Sequence, residues 1–324
     1  MKLLQNIFLV GFLLLNFQLS AQGPFAPAAG SEGSTAIDKE DVRFVAWATS
    51  AQVQRGLQNI SNPSLGYASV GDSSKAMGKA DYVVVSLGDA GEATLSFESP
   101  LYNGEGPDFA VFENSFSDSF LELAFVEVSS DGINFFRFDA HSLTDTLQPV
   151  GSFGALDPTN LSNLAGKYRG GFGTPFDLEE LKNTPGLDVN NVTHIKIIDV
   201  VGTLNSAHAR RDAFGNKIND MYPTPFPSGG FDLDAVGAIY IKPVGLEKQV
   251  VQKLKTYPNP VTDKINLQGD FENARYQLFS ISGQLSREGL LFENSIDFSS
   301  IKSGLYFLRI QHEEGVFQSK IVKQ

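Results

Sequence analysis

The stretch that most limits what this chain can fold into is Leu121 to Phe138, L-E-L-A-F-V-E-V-S-S-D-G-I-N-F-F-R-F. Val126 and Val128 alternate with Glu127 and Ser129, the period of a strand with one buried face. Asp131-Gly132 then supplies the positive φ of a tight turn, and Ile133 to Phe138 returns. A β-hairpin is the expected outcome. The wider composition agrees: 26 Phe against 1 Trp and 3 Met, with 31 Gly and 15 Pro, suits pleated, half-buried strands joined by turns. The expected fold class is all-β.

Other segments extend this pattern. Tyr82 to Leu87 and Ala93 to Phe97 flank Gly88-Asp89-Ala90-Gly91 and predict a second hairpin, while Asp41 to Thr49 has the texture of a first strand. Ser50 to Ile60 is polar enough to predict a loop or short helix, and Gly23 to Gly33 reads as a loose lead-in with little to bury. His194 to Val201 and Phe231 to Ile241 are patterned as buried strands. Two long irregular segments separate these strands. They are His141 to Val189, with a short helix expected at Asp177 to Lys182, and Gly202 to Gly229. Long loops on a rigid scaffold are where binding residues tend to sit.

Charge divides the chain in two. Residues 22–250 carry 15 Lys+Arg against 29 Asp+Glu, whereas residues 251–324 carry 9 against 8. The overall charge of −12 argues against nucleic acid as a partner, because phosphate backbones reward Lys and Arg. With no Cys there is no disulfide framework, thiolate nucleophile or Cys-based zinc site. Lys2, the apolar run Ile7 to Leu15 and the small pair Ser20-Ala21 have the layout of a secretory signal peptide, with removal expected near Ala21-Gln22 and no transmembrane segment left in the mature chain. The expected organisation is a signal peptide at 1–21, a lead-in at 22–37, a β-sandwich at 38–243, a linker at 244–254 and a second small domain at 255–324.

Acidic residues cluster at the ends of two apolar runs, Gly106 to Ser115 and Gly230 to Tyr240. Asp108, Glu113 and Asn114 offer oxygens at the two ends of one strand, and Asp232 and Asp234 share a face of another, a set suited to Ca²⁺, which takes six to eight oxygen ligands. The same residues also suit turn capping or solvent exposure. Glu113 follows Phe109 and Val111 on one face, so it either stands at the exposed end of its strand or is buried with a counter-ion. In the long loops, Tyr168, Arg169, Phe172, His208, Arg210, Asn216, Asp220 and Tyr222 combine stacking faces with hydrogen-bonding groups suited to a carbohydrate or other small polar ligand. Phe172 and Phe176 equally suit pinning their loop to the sandwich, and Arg210-Arg211 suits ion pairs with the acidic rim.

No catalytic residue is identifiable. Outside the last quarter of the chain the histidines are His141, His194 and His208, with no H-E-x-x-H and no G-x-S-x-G. Glu113, Glu122, Glu127 and Asp199 are the carboxylates from which a glycosidase pair would have to be drawn, and nothing in their spacing demands one.

Two resemblances sharpen the reading. Ser129 to Phe135, S-x-D-G-x-x-F, resembles a hairpin of discoidin-like and other galactose-binding-type β-sandwiches, and the 38–243 segment resembles jelly-roll cell-surface modules in its phrases G-P-D-F-A-V-F-E-N and F-D-L-D-A-V-G. Some modules of that kind are associated with ligand capture, including corrinoid uptake. The end of the chain is similar to the C-terminal sorting domain of the type IX secretion system of Bacteroidetes. It matches the Tyr257-Pro258-Asn259-Pro260 opening, the Ser280 to Ser286 turn, the Ile301 to Tyr306 strand and the Lys-containing terminus. That resemblance implies an immunoglobulin-like sandwich, export to the outer surface, and the secretion machinery and its sortase as partners. The expected function is non-catalytic capture of a carbohydrate or other small ligand, with calcium as a candidate ion. Adhesion, corrinoid capture and glycoside hydrolysis are the alternatives.

Overall fold

The computed structural model describes residues 23–243, 251–312 and 315–324. The expected signal peptide lies outside the described residues. The chain divides into two compact units, 1–243 and 244–324.

The first unit contains β1 (Ile37–Asp38), β2 (Ala46–Trp47), β3 (Ser50–Gln54), β4 (Val85–Ser86), β5 (Glu92–Leu101), β6 (Phe109–Glu113), β7 (Ala124–Ser129), β8 (Phe136–Arg137), β9 (His141–Ser142), β10 (Leu161–Ser162), β11 (Phe172–Phe176), β12 (Val192–Asp199) and β13 (Asp232–Ala238). One large sheet runs β1-β11-β6-β13-β2 with β4 also on β13, the other runs β3-β5-β12-β7-β8, and β9 and β10 form a separate two-stranded pair. The pairs β4·β13, β5·β12, β6·β11 and β7·β8 are nested antiparallel partners, the first strand with the last and so inward. That is the winding of a jelly roll, a long folded hairpin wrapped into two sheets.

Apolar side chains from both sheets meet between them, including Leu95, Val126, Ile195 and Ile197 from one and Phe109, Val111, Leu233 and Val236 from the other. Phe109 stacks on Phe176 at 5.4 Å, so Phe176 is core. The expected hairpin is β7–β8, with Glu127 opposite Arg137. Its turn is held by Ser129 Oγ, which accepts the Gly132 amide at 2.9 Å, and by Asp131, which accepts the Ile133 and Asn134 amides at 2.8 Å; Gly132 has φ +75°. The short helix appears as a 3₁₀ turn, Leu178–Leu181, capped by the Asp177 side chain.

The predicted Tyr82 to Phe97 hairpin does not form. β4 belongs to one sheet and β5 to the other, so Gly88 to Gly91 is a corner between layers. Gly88 has φ +77°, and an added Cβ would lie 2.5 Å from the Gly56 carbonyl oxygen, a closeness only glycine allows. Ser50–Gln54 is a strand rather than a loop or helix, its Ala51 and Val53 turned inward between exposed polar residues. The lead-in is fastened rather than loose: the Gly23 and Phe25 amides donate to Thr159, and Ala29 is buried. The two long irregular segments build a second apolar cluster, in which Leu156, Leu161, Leu164, Ile218 and Met221 cover Leu121, Leu123 and Phe125 on the outer face of the β7 sheet.

The second unit contains β14 (Val251–Lys253), β15 (Thr256–Tyr257), β16 (Lys264–Leu267), β17 (Arg275–Ser280), β18 (Leu285–Leu290), β19 (Ser295–Asp297), β20 (Gly304–His312) and β21 (Gly315–Lys323). Sheets ordered β14-β21-β20-β17-β18 and β15-β16-β19 share a core of Val261, Ile265, Leu278, Phe298, Leu308, Ile310 and Ile321. Val251–Lys253, expected as linker, is a strand paired parallel to β21.

Candidate functional site

The winding brings acidic residues from distant parts of the chain to one end of the sandwich. β6 ends at Glu113 where its antiparallel neighbour β13 begins at Asp232, and β12 ends at Asp199, opposite Ala124 at the start of β7, two residues after Glu122. Asp89 joins them from the β4–β5 corner and Asp220 from the loop before β13. All six are buried.

Most of these carboxyls hold backbone in place. Asp199 accepts the Phe231 amide at 2.7 Å and the Ala90 amide at 2.9 Å; Asp220 accepts the Leu123 and Met221 amides; Asp89 accepts the Ile60 amide. Asp232 accepts the Ser86 hydroxyl. Glu113 uses one oxygen for the Ser115 amide at 2.8 Å, and its Oε1 has no partner. Burial raises the pKa of every one of them: Asp89 and Asp232 to about 6, Asp220 to about 7, and Glu113, Glu122 and Asp199 well above the usual carboxylate range. Mutual repulsion adds to this, Asp232 acting on Glu113, and Glu113 and then Asp232 acting on Glu122. The Arg55 guanidinium works against this at Asp232, and the His208 ring does so at Asp89.

Glu122 and Asp232 are the two carboxyls that line an open cleft of about 380 Å³. Asn114, Ser115, Ser152, Thr224 and Ser228 supply further polar groups, and Phe116, Phe120, Phe153 and Phe226 form the wall. The rings follow one another, with centroids 4.6 Å apart for Phe116–Phe120, 6.3 Å for Phe120–Phe153 and 5.9 Å for Phe153–Phe226. Phe116 is 78% exposed and Phe153 74%, so neither is there to fill a core. An aromatic wall beside a few convergent polar groups is the make-up of a small-molecule site.

The five residues expected to hold calcium do not form one ligand sphere. Glu113, Asn114 and Asp232 stand at the cleft end. Asp108 precedes the other end of β6, where it accepts the Gly104 and Leu178 amides at 2.7 Å. Asp234 accepts the Asp81 and Tyr82 amides, so both of its oxygens are already engaged. Among the described residues no group of three or more His, Asp or Glu is arranged to hold a metal ion. Glu113 is buried rather than exposed at its strand end.

The eight loop residues expected to hold ligand also disperse. Tyr168 donates to or accepts from the Thr35 hydroxyl at 2.8 Å, and Arg169 bonds the Ala29 carbonyl and Asp118 while lying 4.6 Å from the Phe172 ring centre, so these three clamp the amino-terminal segment. Asn216 bonds Asp212 within a tight turn, Arg210 accepts the Ile218 amide through its carbonyl, and the Tyr222 hydroxyl meets Asn59 and Ser61. Arg211 donates to the Gly215 carbonyl rather than to an acidic rim. His208 acts on Asp89 through space, and Asp220 alone of the eight belongs to the buried carboxyl group. Glu127, half-buried, pairs with Arg137. The four wall phenylalanines had no signal of their own among 26 Phe. The pointer the sequence did hold was the recurrence of an acid at the end of an apolar run, at Glu113, Asp199 and Asp232.

In the second unit, residues 255–324 match the family described as secretion system C-terminal sorting domain. This segment is a type IX sorting domain. A sorting domain of this kind implies interaction with the type IX secretion machinery and indicates secretion to the cell surface or the extracellular space. Over 85 residues the chain is 35% identical to "Beta-agarase D" of Zobellia galactanivorans, an alignment spanning 25% of this chain and 17% of that protein. Solved structures with some likeness include the BSP domain of a biofilm associated protein, 9% identical over 88% of this chain and 53% of that one with a TM-score of 0.18. Another is a Ruminococcus gnavus β-glucuronidase, 11% identical over 84% of this chain and 42% of that one with a TM-score of 0.20. At such scores neither likeness carries an argument. No helix among the described residues is long and apolar enough to cross a membrane.

Proposed function

We propose that the jelly-roll unit of this exported protein is a non-catalytic binding module for a small, ring-bearing polar ligand, held in the cleft between β6, β7 and β13. The observation that carries this reading is the run of four phenylalanine rings over Glu122 and Asp232, with two of the rings mostly exposed. Exposed rings beside hydrogen-bonding groups suit a ligand with a flat apolar face and polar edges, carbohydrates among them. The partial likeness to an agarase puts agar oligosaccharides in the first screen. Calorimetric titration of the full chain with an oligosaccharide panel, repeated on Phe153→Ala, tests it: binding that survives the substitution places the site elsewhere.

Glycoside hydrolysis is the second reading, favoured by one observation. Two carboxyls of raised pKa line the same cleft, as an acid and a base would. Release of reducing ends from agar, lost in Glu122→Gln, would establish catalysis; full retention in that variant would exclude Glu122 from it.

A further inference from the structure

We infer that the ligand of this cleft is an organic cation: a protonated primary amine whose ring or alkyl body lies against Phe116, Phe120, Phe153 and Phe226 while its N–H groups meet Glu122 and Asp232. The inference deepens the binding reading above and rests on it.

Three independent features point this way. The first is unused acceptor capacity. Glu113 is 1% exposed, yet its Oε1 has no partner, and the Glu122 side chain accepts no hydrogen bond from the described residues. Buried polar groups are normally paired, so the unpartnered Glu122 carboxyl, which lines the cleft as Glu113 does not, marks where donors from outside belong. The second is charge. Backbone amides aside, the charged groups that act on Glu113 and Glu122 among the described residues are carboxyls, Asp232, Asp220 and Asp199 among them. Arg55 reaches only Asp232 of this set, and its guanidinium is already bound to the carbonyls of Val70, Gly71 and Ser86. Among the described residues none of the main charged groups acting on Glu113 or Glu122 is a cation. The third is the wall. Phenylalanine faces attract cations through the negative face of the ring, and they shield an ammonium's apolar body from water.

An inorganic cation would use only the first two features. Calcium takes six to eight oxygen ligands, and one side of the cleft is hydrocarbon. A neutral sugar would use the wall but bring no charge to offset the repulsion among the carboxyls. An amine on an apolar body uses all three.

The test is calorimetric titration of the full chain at neutral pH with matched pairs, cyclohexylamine against cyclohexanol and glucosamine against glucose, with calcium chloride as a competitor. The amine of each pair should bind about tenfold tighter than its neutral partner. Glu122→Gln should remove that preference, bringing each amine to the affinity of its neutral partner, and Phe153→Ala should weaken every probe. If amine and neutral partner bind equally, and Phe153→Ala weakens both, the cleft stands as a binding site and the cation inference is overturned. If calcium binds and displaces the amine, the site belongs to an inorganic ion and the inference is again overturned. If no probe binds, or Phe153→Ala changes nothing, the cleft reading itself fails and takes the inference with it.

Discussion

Replacing Asp220 by asparagine should stabilise the jelly-roll unit more at pH 8 than at pH 5. The carboxyl is buried, accepts only the Leu123 and Met221 amides, and is pushed up to about 7 from 3.8, chiefly by burial and against the pull of those two amides. In the unfolded chain it ionises near 3.8, so between about pH 4 and pH 7 the folded state holds a proton that the unfolded state has released. That favours folding at low pH, and the advantage is lost as pH rises through about 7. From pH 5 to pH 8 the loss amounts to about 2–3 kcal/mol, or about 5–10 °C in a domain of this size. Asparagine has no charge to bury, but it presents one acceptor oxygen to two amides, a cost of about 1–3 kcal/mol that does not vary with pH. Urea or thermal unfolding of both proteins at the two pH values separates these effects. The variant should gain about 2–3 kcal/mol on the wild type between pH 5 and pH 8. A difference that stays constant, or that shifts toward the wild type at pH 8, would refute the reasoning.

Further outcomes follow from other parts of the structure. Phe109→Ala removes a fully buried ring stacked on Phe176 and should lower stability by about 3–5 kcal/mol in equilibrium unfolding. Phe153→Ala, at an exposed ring, should change it by no more than about 0.5 kcal/mol, so a loss of binding there is not a loss of fold. Cyclohexylamine affinity should fall as pH drops through about 6, where Asp232 takes up a proton while the amine stays charged; an affinity flat from pH 5 to pH 8 would remove Asp232 from the site. Deletion of residues 255–324 should leave the protein inside a type IX-secreting cell, as fractionation and immunoblotting would show.

The secretion route and the fold class were legible in the residues because their signals are local. A sorting domain announces itself through Tyr257-Pro258-Asn259-Pro260 and Ile301 to Tyr306, and a strand through alternation such as that of Val126, Glu127 and Val128, both contained within a few residues. Ser50–Gln54 carried the same period-two signal but was outweighed by its polarity. The buried strand Asp232–Ala238 and the turn at Asp131-Gly132 were likewise local facts.

The site was decided only by the winding of the chain. Whether Tyr82 to Phe97 closes a hairpin or turns a corner depends on whether β4 finds β13, nearly 150 residues away, and that pairing is what carries Gly88 against Gly56 and Asp89 toward Asp199. An acid at the end of an apolar run reads the same whether it caps a backbone amide, as Asp108 does, or faces other carboxyls, as Glu113 does. Burial separates the two, and burial is a property of the layers that close over a residue. The exposed Phe153 and the buried Phe176 are likewise one residue type with opposite roles. Sequence determined that strands would form and where the protein would be sent; the three-dimensional packing determined which carboxyls would be left without partners, because desolvation and like-charge repulsion act through space between residues that the chain holds far apart.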